Sequence, residues 1–450
     1  MPKTPSPEDR KILLDFLAEN PDLERIELLF PDMHGIFRGK WMPPDGARKL
    51  LTRDVRLPIS SYALDVWGHD VNETRLALAT GDPDGYGVPV MRTLKRLPWT
   101  KTPAAQLLMT LETEDGAPCI YDPRQQLSSM VERFAAIGLT AVVAAEMEFY
   151  LFRKRKNLGS APIPPIGSMG TQLYDLDAMD ELEDVLREIR RGCEALDLPV
   201  DIIIAESGSG QFEINFKHVP DPIAAADYAI LFKRLVWGCA QRHDLESTFM
   251  AKPYGDDAGS GMHFHVSLIN EDGENIFALE DGGKENLHHA IGGLLSTMRE
   301  LQVIFAPHLN SYRRFQEGSH APLQPNWGLD NRSASVRVPE SQGPAARFEH
   351  RISGSDVNPY LALTAILGGA LIGLKNKIDP GKPIDEGGAI KQRLYGTWVP
   401  AVDAFSRSTA AVDVFGKEYR RVFTACCRAE IQKLSAMVTD VEYQTYLDRI

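Results

Sequence analysis

The sequence predicts an α+β fold that consists of a small, sheet-rich N-terminal domain and a larger α/β domain. Short strand patterns, broken by Pro and Gly, fill the chain to about residue 112. At Asp122 and Pro123 the pattern changes to that of a capped helix. Beyond this point strand patterns alternate with longer helical ones, as in an α/β domain. We therefore expect one domain at residues 22–117 and a second at residues 122–450.

The N-terminal domain is predicted to begin with a β-hairpin. Residues 10–19 have the apolar spacing of a helix. Two strand patterns follow, Ile26–Phe30 and Ile36–Trp41, and the segment PDMHG between them is rich in turn-forming residues. These features predict a short helix followed by two paired strands.

Two helices of the larger domain can be read from their ends and their composition. Asp122 is a typical N-cap, Pro123 fits the first turn, and Gly138 is a typical stop signal. The most apolar stretch, Leu361–Leu374, is shorter than the ~20 residues of a membrane-spanning helix. We expect a buried core helix there and no membrane partner.

The composition argues against several classes of partner. The chain has 450 residues, 62 acidic and 49 basic side chains, and a formal charge of -13. Nucleic acids and anionic membranes favour clustered Lys and Arg, so neither is expected to bind. The five cysteines are scattered and form no CxxC pair, which favours reduced thiols and a cytoplasmic location.

Several strand patterns share an unusual polar face. Alternate residues on a strand point to the same side of the sheet. Here one side carries acids, histidines or arginines, while the other carries bulky apolar residues. A solvated outer face remains the alternative for any single strand. The polar faces comprise Glu146 and Glu148; Gln211, Glu213 and Asn215; His263, His265 and Ser267; Arg347, Glu349 and Arg351; and Arg337.

Converging acids of this kind require cationic partners. Hard divalent cations prefer oxygen ligands, and Mn²⁺ also accepts a single imidazole. The pattern therefore indicates two or three Mg²⁺ or Mn²⁺ ions in one site, whereas clustered Cys or His ligands that would favour zinc are not seen. The candidate metal ligands are Glu146, Glu148, Glu206, Glu213, Glu349 and His263.

Arginines accompany the candidate metal ligands. Their guanidinium groups can hold phosphate or carboxylate oxygens in pairs, although pairing with surface acids is the alternative for each one. The sequence has neither a GxxxxGK[ST] loop nor a GxGxxG turn after a strand. Phosphates would then be held by metals and arginines. The arginines concerned are Arg314, Arg332, Arg337, Arg347 and Arg351.

These segments resemble the glutamine synthetase family in order and spacing over nearly the whole chain. The resemblance implies a small N-terminal β-grasp domain and a large C-terminal α/β catalytic domain of the glutamine synthetase type. It also implies ATP as co-substrate and a homo-oligomer, a dodecamer of two stacked hexameric rings with active sites between neighbouring subunits. The matching segments are AEMEFYLF (145–152), AESGSGQFEINF (205–216), GSGMHFHVSL (259–268), NSYRRF (310–315), NRSASVRVP (331–339) and RFEHRISGSDVNPY (347–360).

The resemblance also implies a role for each residue that matches a family motif. One metal is expected at Glu148, Glu206 and Glu213, and the second at Glu146, His263 and Glu349. ATP contacts are expected from Glu206, His265, Ser267, Arg337 and Arg347. Glutamate contacts are expected from Gly259, His263, Arg314, Arg332 and Arg351, and the catalytic residues from Arg332, Arg351 and His320.

The sequence departs from the ammonia-using members of the family at two places. His320, within the segment 314–322, stands where those members carry a glutamate, and an acid is missing from the loop 57–62. Both acids would favour a bound ammonium ion. The sequence thus resembles the branch that joins glutamate to organic amines, putrescine or another polyamine or alkylamine. A glutamine synthetase that uses ammonia is the alternative, and a catalytically silent scaffold or a carboxylate-rich metal hydrolase represents a different class.

Overall fold

The structure is a computed structural model that describes residues 6–157, 159–167, 170–388 and 392–450. Over these residues the strands form one sheet of six strands and one of eight. The N-terminal sheet has the order β2-β1-β6-β4-β3, and β5 also pairs with β6. Its strands are β1 (Arg25–Pro31), β2 (Phe37–Met42), β3 (Arg56–Pro58), β4 (Asp84–Pro89), β5 (Lys95–Arg96) and β6 (Ala104–Glu112).

The predicted N-terminal hairpin is confirmed. Strands β1 and β2 are antiparallel, with Ile26 opposite Met42. The Asp32 carboxylate closes the turn, because its Oδ1 accepts the backbone N–H groups of His34 and Ile36 at 2.9 Å each. Gly35 adopts a positive φ of 79°, which glycine reaches without a steric penalty. The description of this sheet as a β-grasp stays a prediction, as do the exact domain boundaries.

The larger sheet carries all the strands whose polar faces were identified from the sequence. Its order is β12-β13-β14-β11-β7-β9-β8, and β10 also pairs with β7. The strands are β7 (Thr140–Arg153), β8 (Val200–Ala205), β9 (Gln211–Phe216), β10 (Leu245–Thr248), β11 (Met262–Ile269), β12 (Trp327–Leu329), β13 (Val336–Glu340) and β14 (Arg347–His350).

Helices cover the apolar side of the larger sheet, while α1 precedes the N-terminal sheet. The predicted N-cap is confirmed: the Asp122 side chain accepts the backbone N–H of Arg124 at 2.8 Å, and Pro123 lies in the first turn. The helices are α1 (Pro7–Glu19), α2 (Pro123–Ala135), α3 (Leu176–Glu181), α4 (Glu183–Ala195), α5 (Pro222–Arg242), α6 (Gly283–Thr297), α7 (Gln302–Phe305), α8 (Pro359–Asn376), α9 (Trp398–Arg407), α10 (Thr409–Phe415), α11 (Lys417–Ser435) and α12 (Asp440–Tyr446).

The core of the larger domain lies between the sheet and its helices. On β7, Met147 and Phe149 are fully buried and alternate with the acids of the opposite face. Burial of such a side chain contributes about 1.5–3 kcal/mol, so the core fixes which face of β7 is turned away from it. The apolar stretch 361–374 forms most of α8 and is almost entirely buried. Among the described residues, no helix combines the length and apolarity needed to span a bilayer.

The N-terminal hairpin packs directly on the larger domain. Asn358, the N-cap of α8, donates its side-chain amide to the backbone oxygen of Asp32 at 2.9 Å. Asp227 of α5 is fully buried and accepts hydrogen bonds from Arg92 and Arg124. These contacts fix the N-terminal sheet relative to the strands that carry the polar faces.

Candidate active site

The register of three strands brings the predicted acids side by side. Strand β7 lies between β9 and β11. Glu146 is paired with His263 on β11 and with Asn215 on β9, while Glu148 is paired with Glu213 on β9. Directly opposed residues have Cβ atoms about 4.5–5.5 Å apart, so the polar faces predicted strand by strand form one surface.

These pairs on β9, β7 and β11 form a first row of polar side chains, and a second row crosses β11, β14 and β13. His265 on β11 is opposite Glu349 on β14, which is opposite Arg337 on β13. Arg337 donates an Nη1–H to Glu349 Oε2 at 2.9 Å, and Arg351 donates to Glu349 Oε1. His265 Nε2 lies 2.8 Å from Glu146 Oε1. The two rows are therefore joined into a single network of acids, imidazoles and guanidinium groups.

Two acids on β7 and β9 have raised pKa values. Burial and the charge of Glu206 raise the pKa of Glu148 to about 8. Burial and the charges of Glu148 and Glu146 raise the pKa of Glu213 to about 9. Burial likewise raises the pKa of Glu206. Like charges this close cannot all ionise without a cation, so this part of the site is short of positive charge.

The two acids nearer the arginines, Glu146 and Glu349, have lowered pKa values instead. Burial opposes ionisation of Glu146, but hydrogen bonds with His263 and His265 outweigh it and lower the pKa. Burial also opposes ionisation of Glu349, and the charges of His263 and Arg351 overcome it and lower that pKa. Burial, helped by the Arg351 charge, lowers the pKa of His263 to about 4, so at neutral pH its imidazole can act as a ligand.

Two sets of side chains have the spacing of metal ligands. One comprises Glu146, Glu213 and His263, and the other comprises Glu146, His265 and Glu349, with ligand atoms in each set within 4.8 Å of one another. The grouping differs in part from the expectation, because His265, expected as an ATP contact, falls in the second set. Glu148 and Glu206, expected as ligands, lie beside the first set and interact with it through their charges.

The Gln211 side chain links two Gly-rich segments, 208–211 and 259–263, to Glu148. Its Oε1 accepts the backbone N–H of Gly208 at 2.9 Å, and its Nε2 donates to Glu148 Oε2 and to the backbone oxygen of Gly259, each at 3.0 Å. A Cβ at Gly208 would lie 1.9 Å from the hydroxyl of Tyr150, so only glycine fits there. The segments 208–211 and 259–263 are therefore parts of the site.

The Arg314 guanidinium group also lies close to Gly261. It is buried, and its Nη1 donates to the backbone oxygen of Ile352 at 2.7 Å. A Cβ at Gly261 would lie 2.9 Å from Arg314 Nη2 and 2.7 Å from His263 Nε2. Gly261 thus marks the place where a guanidinium, an imidazole and the acids converge.

Two residues that support this arrangement were not predicted from the sequence. The Ser355 hydroxyl lies 2.6 Å from the backbone oxygens of both Glu148 and Gly261. The Asn310 side chain accepts the backbone N–H of Lys252 and donates to its oxygen, each at 2.9 Å. Both residues lie in the motifs quoted above, but their partners are distant in sequence, so no spacing pattern predicts the contacts.

The remaining predicted residues lie around this centre. Arg347 Nε is 3.2 Å from His265 Nδ1, and Ser267 is half-buried further along β11. His320 and Arg332 are more exposed, yet the charges of both lower the pKa of Glu206 against the effect of its burial. His320, in the segment 314–322, is thus within electrostatic reach of Glu206.

Residues 120–446 match the family model described as the glutamine synthetase catalytic domain. The chain belongs to the glutamine synthetase family. The resemblance seen in the sequence motifs is therefore confirmed, and so is the mixed α and β fold of this family.

Similar family members differ in the acceptor that their names state. Gamma-glutamylputrescine synthetase PuuA of Escherichia coli is 34% identical and the match covers 96% of this chain and 93% of that protein. Gamma-glutamylethanolamide synthetase GlnA4 of Streptomyces coelicolor is 31% identical, with 97% and 95% covered. Glutamine synthetase of Pyrococcus abyssi is 33% identical, with 88% and 87% covered. A solved structure of GmaS in complex with ADP aligns with a TM-score of 0.85 and 28% identity over 97% of this chain and 99% of that one.

Proposed function

We propose that this protein is an ATP-dependent carbon–nitrogen ligase that joins the side-chain carboxylate of L-glutamate to an organic amine. The acceptor is putrescine or another polyamine or alkylamine, and the reaction passes through γ-glutamyl phosphate. The observation that carries the proposal is the paired arrangement of acids, imidazoles and arginines across β9, β7, β11, β14 and β13. Family relatives named for γ-glutamyl amide synthesis support it.

The first chemical step brings one anion to another. Each close pair of oxygens from the ATP γ-phosphate and the glutamate carboxylate repels by about 4 kcal/mol at 4 Å for an effective dielectric near 20. Arg332 and Arg351 hold the charge that spreads over the transferred phosphoryl group, the main contribution in phosphoryl transfer. Gly259, His263 and Arg314 hold the glutamate.

The nucleotide is proposed to lie along the second row of the site. His265, Ser267, Arg337 and Arg347 then contact ATP, together with Glu206. The hydrogen bond of Arg337 to Glu349 supports this assignment, because it fixes the guanidinium at the edge of the acid cluster. The name of the GmaS complex states that this neighbour binds ADP.

The residues fit two or three divalent cations, Mg²⁺ or Mn²⁺. The fit rests on the close spacing of the ligand atoms, and burial together with the charges of neighbouring carboxylates raises the pKa of Glu148 and Glu213. Oxygen-rich ligands with one or two imidazoles suit these metals. Bound ions would neutralise phosphate and carboxylate charge. The proposed ligands are Glu146, Glu148, Glu206, Glu213, His263 and Glu349.

The acceptor amine must lose a proton before it attacks. An alkylammonium group has a pKa near ~10.4, so at neutral pH it arrives charged. His320 in place of an acid leaves the entrance less negative, which suits an amine with an apolar carbon chain better than ammonium. An imidazole can also accept the proton as a general base. The electrostatic influence of His320 on Glu206 supports a place for it beside the acceptor.

Ammonia is the competing acceptor, because relatives of nearly equal identity are named glutamine synthetase. The test measures ADP release with glutamate, ATP and a panel of amines that includes ammonium at equal concentration. We expect faster release with a primary amine or diamine than with ammonium. Faster glutamine formation from ammonium than any γ-glutamyl amide formation would replace the proposal with glutamine synthetase. A silent scaffold would release no ADP, and a hydrolase would need no amine.

The proposed assembly is a homo-oligomer, a dodecamer of two stacked hexameric rings. Exposed apolar side chains near the C-terminus support an oligomer, since they would be buried by another subunit. In and around α12, Val441 is 68% exposed and Leu447 is 70% exposed. Light scattering on the full chain gives the mass of the particle and hence the number of subunits.

A further inference from the structure

Three metal-ligating side chains meet outside the candidate active site. His34 lies in the turn between β1 and β2, His308 precedes the 3-10 helix Asn310–Arg314, and Glu430 lies on α11. Their ligand atoms lie within 4.8 Å of one another, as in the two sets of the active site. The side chains of His34 and Glu430 are only 4% and 1% exposed.

The geometry of this cluster resembles that of a partly assembled coordination shell. His34 Nε2 lies 3.0 Å from Glu430 Oε1. The imidazole rings of His34 and His308 are stacked, with centroids 5.6 Å apart and planes at 27°. The backbone N–H of Val66 donates to Glu430 Oε1 at 2.8 Å and so holds the carboxylate in place. Two imidazoles and one oriented carboxylate therefore face a common point.

We propose that His34, His308 and Glu430 bind a divalent transition-metal ion of the Zn²⁺ type. Two imidazoles and one carboxylate form a donor set that zinc accepts, with bonds of about 2.0–2.2 Å. Such bonds place neighbouring tetrahedral ligand atoms about 3.4 Å apart, close to the spacing of the His34 and Glu430 atoms. The active site, by contrast, is rich in carboxylates and suits Mg²⁺ or Mn²⁺.

Two oxygen acceptors lie within hydrogen-bond distance of His34 Nε2. His34 Nε2 is 3.0 Å from Glu430 Oε1 and 3.1 Å from the backbone oxygen of Leu64, so a proton on Nε2 would be shared by these two acceptors. Metal binding requires a neutral imidazole with a free lone pair and therefore displaces this proton into solvent.

The surroundings of His308 are compatible with a cation. Burial lowers the pKa of His308 and so favours the neutral imidazole that a metal ion requires, while the nearby Asp356 carboxylate supplies negative charge. Asp356 Oδ1 is buried and has no hydrogen-bond partner within the described part of the chain. A buried lysine on the same side, Lys233, donates its ammonium to the backbone oxygens of Ser355 and Val357 at 2.6 and 2.8 Å. Its charge is thus neutralised in part by carbonyl dipoles.

A metal at this point would join three distant parts of the chain. It would tie the β1–β2 turn to α11 and to the segment that leads into the helix of Arg314. Because the ligands come together only in the folded chain, the ion would stabilise the folded state. The proposal is independent of the ligase chemistry, since none of the three residues belongs to the active site.

The test uses the full chain in which substitutions disable both candidate metal-ligand sets of the active site. Glu146 belongs to both sets, so the double variant Glu146→Gln, His263→Ala disables both while leaving the new cluster intact. The protein is treated with chelator, equilibrated with Zn²⁺ and desalted, and the bound zinc is counted by mass spectrometry. We expect one Zn²⁺ per chain and a higher melting temperature in Zn²⁺ than in Mg²⁺. No bound zinc together with an unchanged melting temperature would overturn the proposal.

Further variants assign the ion to the cluster. Adding Glu430→Gln or His308→Ala to the double variant is expected to remove the bound zinc. Adding His289→Ala, a half-buried histidine on α6 away from the cluster, is expected to leave the count unchanged. Retention of the same zinc count after both Glu430→Gln and His308→Ala would show that the ion binds elsewhere and would refute the assignment.

Discussion

Loading the metal-free protein with Mn²⁺ should release about two protons per chain at pH 7. Glu148 and Glu213 have pKa values raised to about 8 and about 9, so both are mainly protonated at pH 7 before the metal binds. Metal ligands of this kind bind as carboxylates, and binding therefore expels their protons. The two groups interact, so the count belongs to the pair rather than to either residue.

The same shifts set the pH dependence of metal affinity and of stability. With two protons expelled, the apparent affinity should rise by about 100-fold per pH unit below pH 8, since each proton contributes one tenfold step. An unfolded glutamate has a pKa near ~4.3. These two glutamates therefore bind more protons in the folded, metal-free chain than in the unfolded chain between about pH 5 and pH 9. Their contribution to the free energy of unfolding should fall as pH rises through this window, and the metal should reverse that loss.

Isothermal titration calorimetry in buffers with different ionisation enthalpies measures the proton count. Glu213→Gln should lower the count by about one proton, whereas Glu271→Gln, at an exposed position in a turn outside the cluster, should leave it unchanged. A count near zero for the unmodified protein would refute the reasoning, because it would mean that the acids are already ionised without metal.

Four further predictions concern the proposed ligase reaction. Glu146→Ala should lower turnover by at least about 100-fold, as for loss of a main electrostatic group, while circular dichroism shows an unchanged fold; near-normal activity in Mg²⁺ or Mn²⁺ would contradict its place as a shared ligand. Glutamate and ATP alone should give γ-glutamyl phosphate that hydroxylamine captures, and the double variant Arg332→Ala, Arg351→Ala should lose this product. Continued capture by the double variant would exclude the proposed role of these arginines in holding the phosphoryl charge. His320→Glu should shift the ratio of rates from primary amines towards ammonium, and an unchanged ratio in competition assays would limit His320 to a structural role in the segment 314–322. Asn310→Ala should raise KM for glutamate by about tenfold, equivalent to ~1.4 kcal/mol, with little change in KM for ATP; an equal rise for both substrates would indicate a general loss of structure.

The sequence was sufficient to identify the strands and their polar faces. The period of two in segments such as 145–150 and 262–268 predicted which side chains share a side, and strands β7 and β11 have these faces. The register between strands was not predictable, because the partners of Glu148 and His265 lie far along the chain. Pairing depends on how the whole sheet is assembled.

Some site residues lie outside the periodic strand patterns. Glu206 follows β8 directly instead of lying within a strand, and its backbone N–H donates to Gln211 at 2.9 Å. No periodicity marks such a residue. Arg332 and His320 likewise lie outside regular strands, and motif similarity was needed to assign a specific role to Arg332 and to select His320.

The supporting contacts could not be inferred from either source. Asn310 and Ser355 bind backbone groups of distant segments, and such bonds depend on positions that only the folded chain defines. The cluster of His34, His308 and Glu430 is a similar case. Metal motifs are recognised by short spacings, and these three residues come from opposite ends of the chain.

The hydrogen bond between Asn358 and the β1–β2 turn bears on how the chain can be dissected. Residues 120–446 match the catalytic-domain model, which invites expression of that part alone. Such a fragment would lack Asp32, whose backbone oxygen accepts the Asn358 amide. Asn358 caps α8 only three residues after Ser355, which fixes the backbone of Glu148 and Gly261. The N-terminal sheet thus acts as a scaffold for the acid cluster, and fragments or chimaeras should retain it.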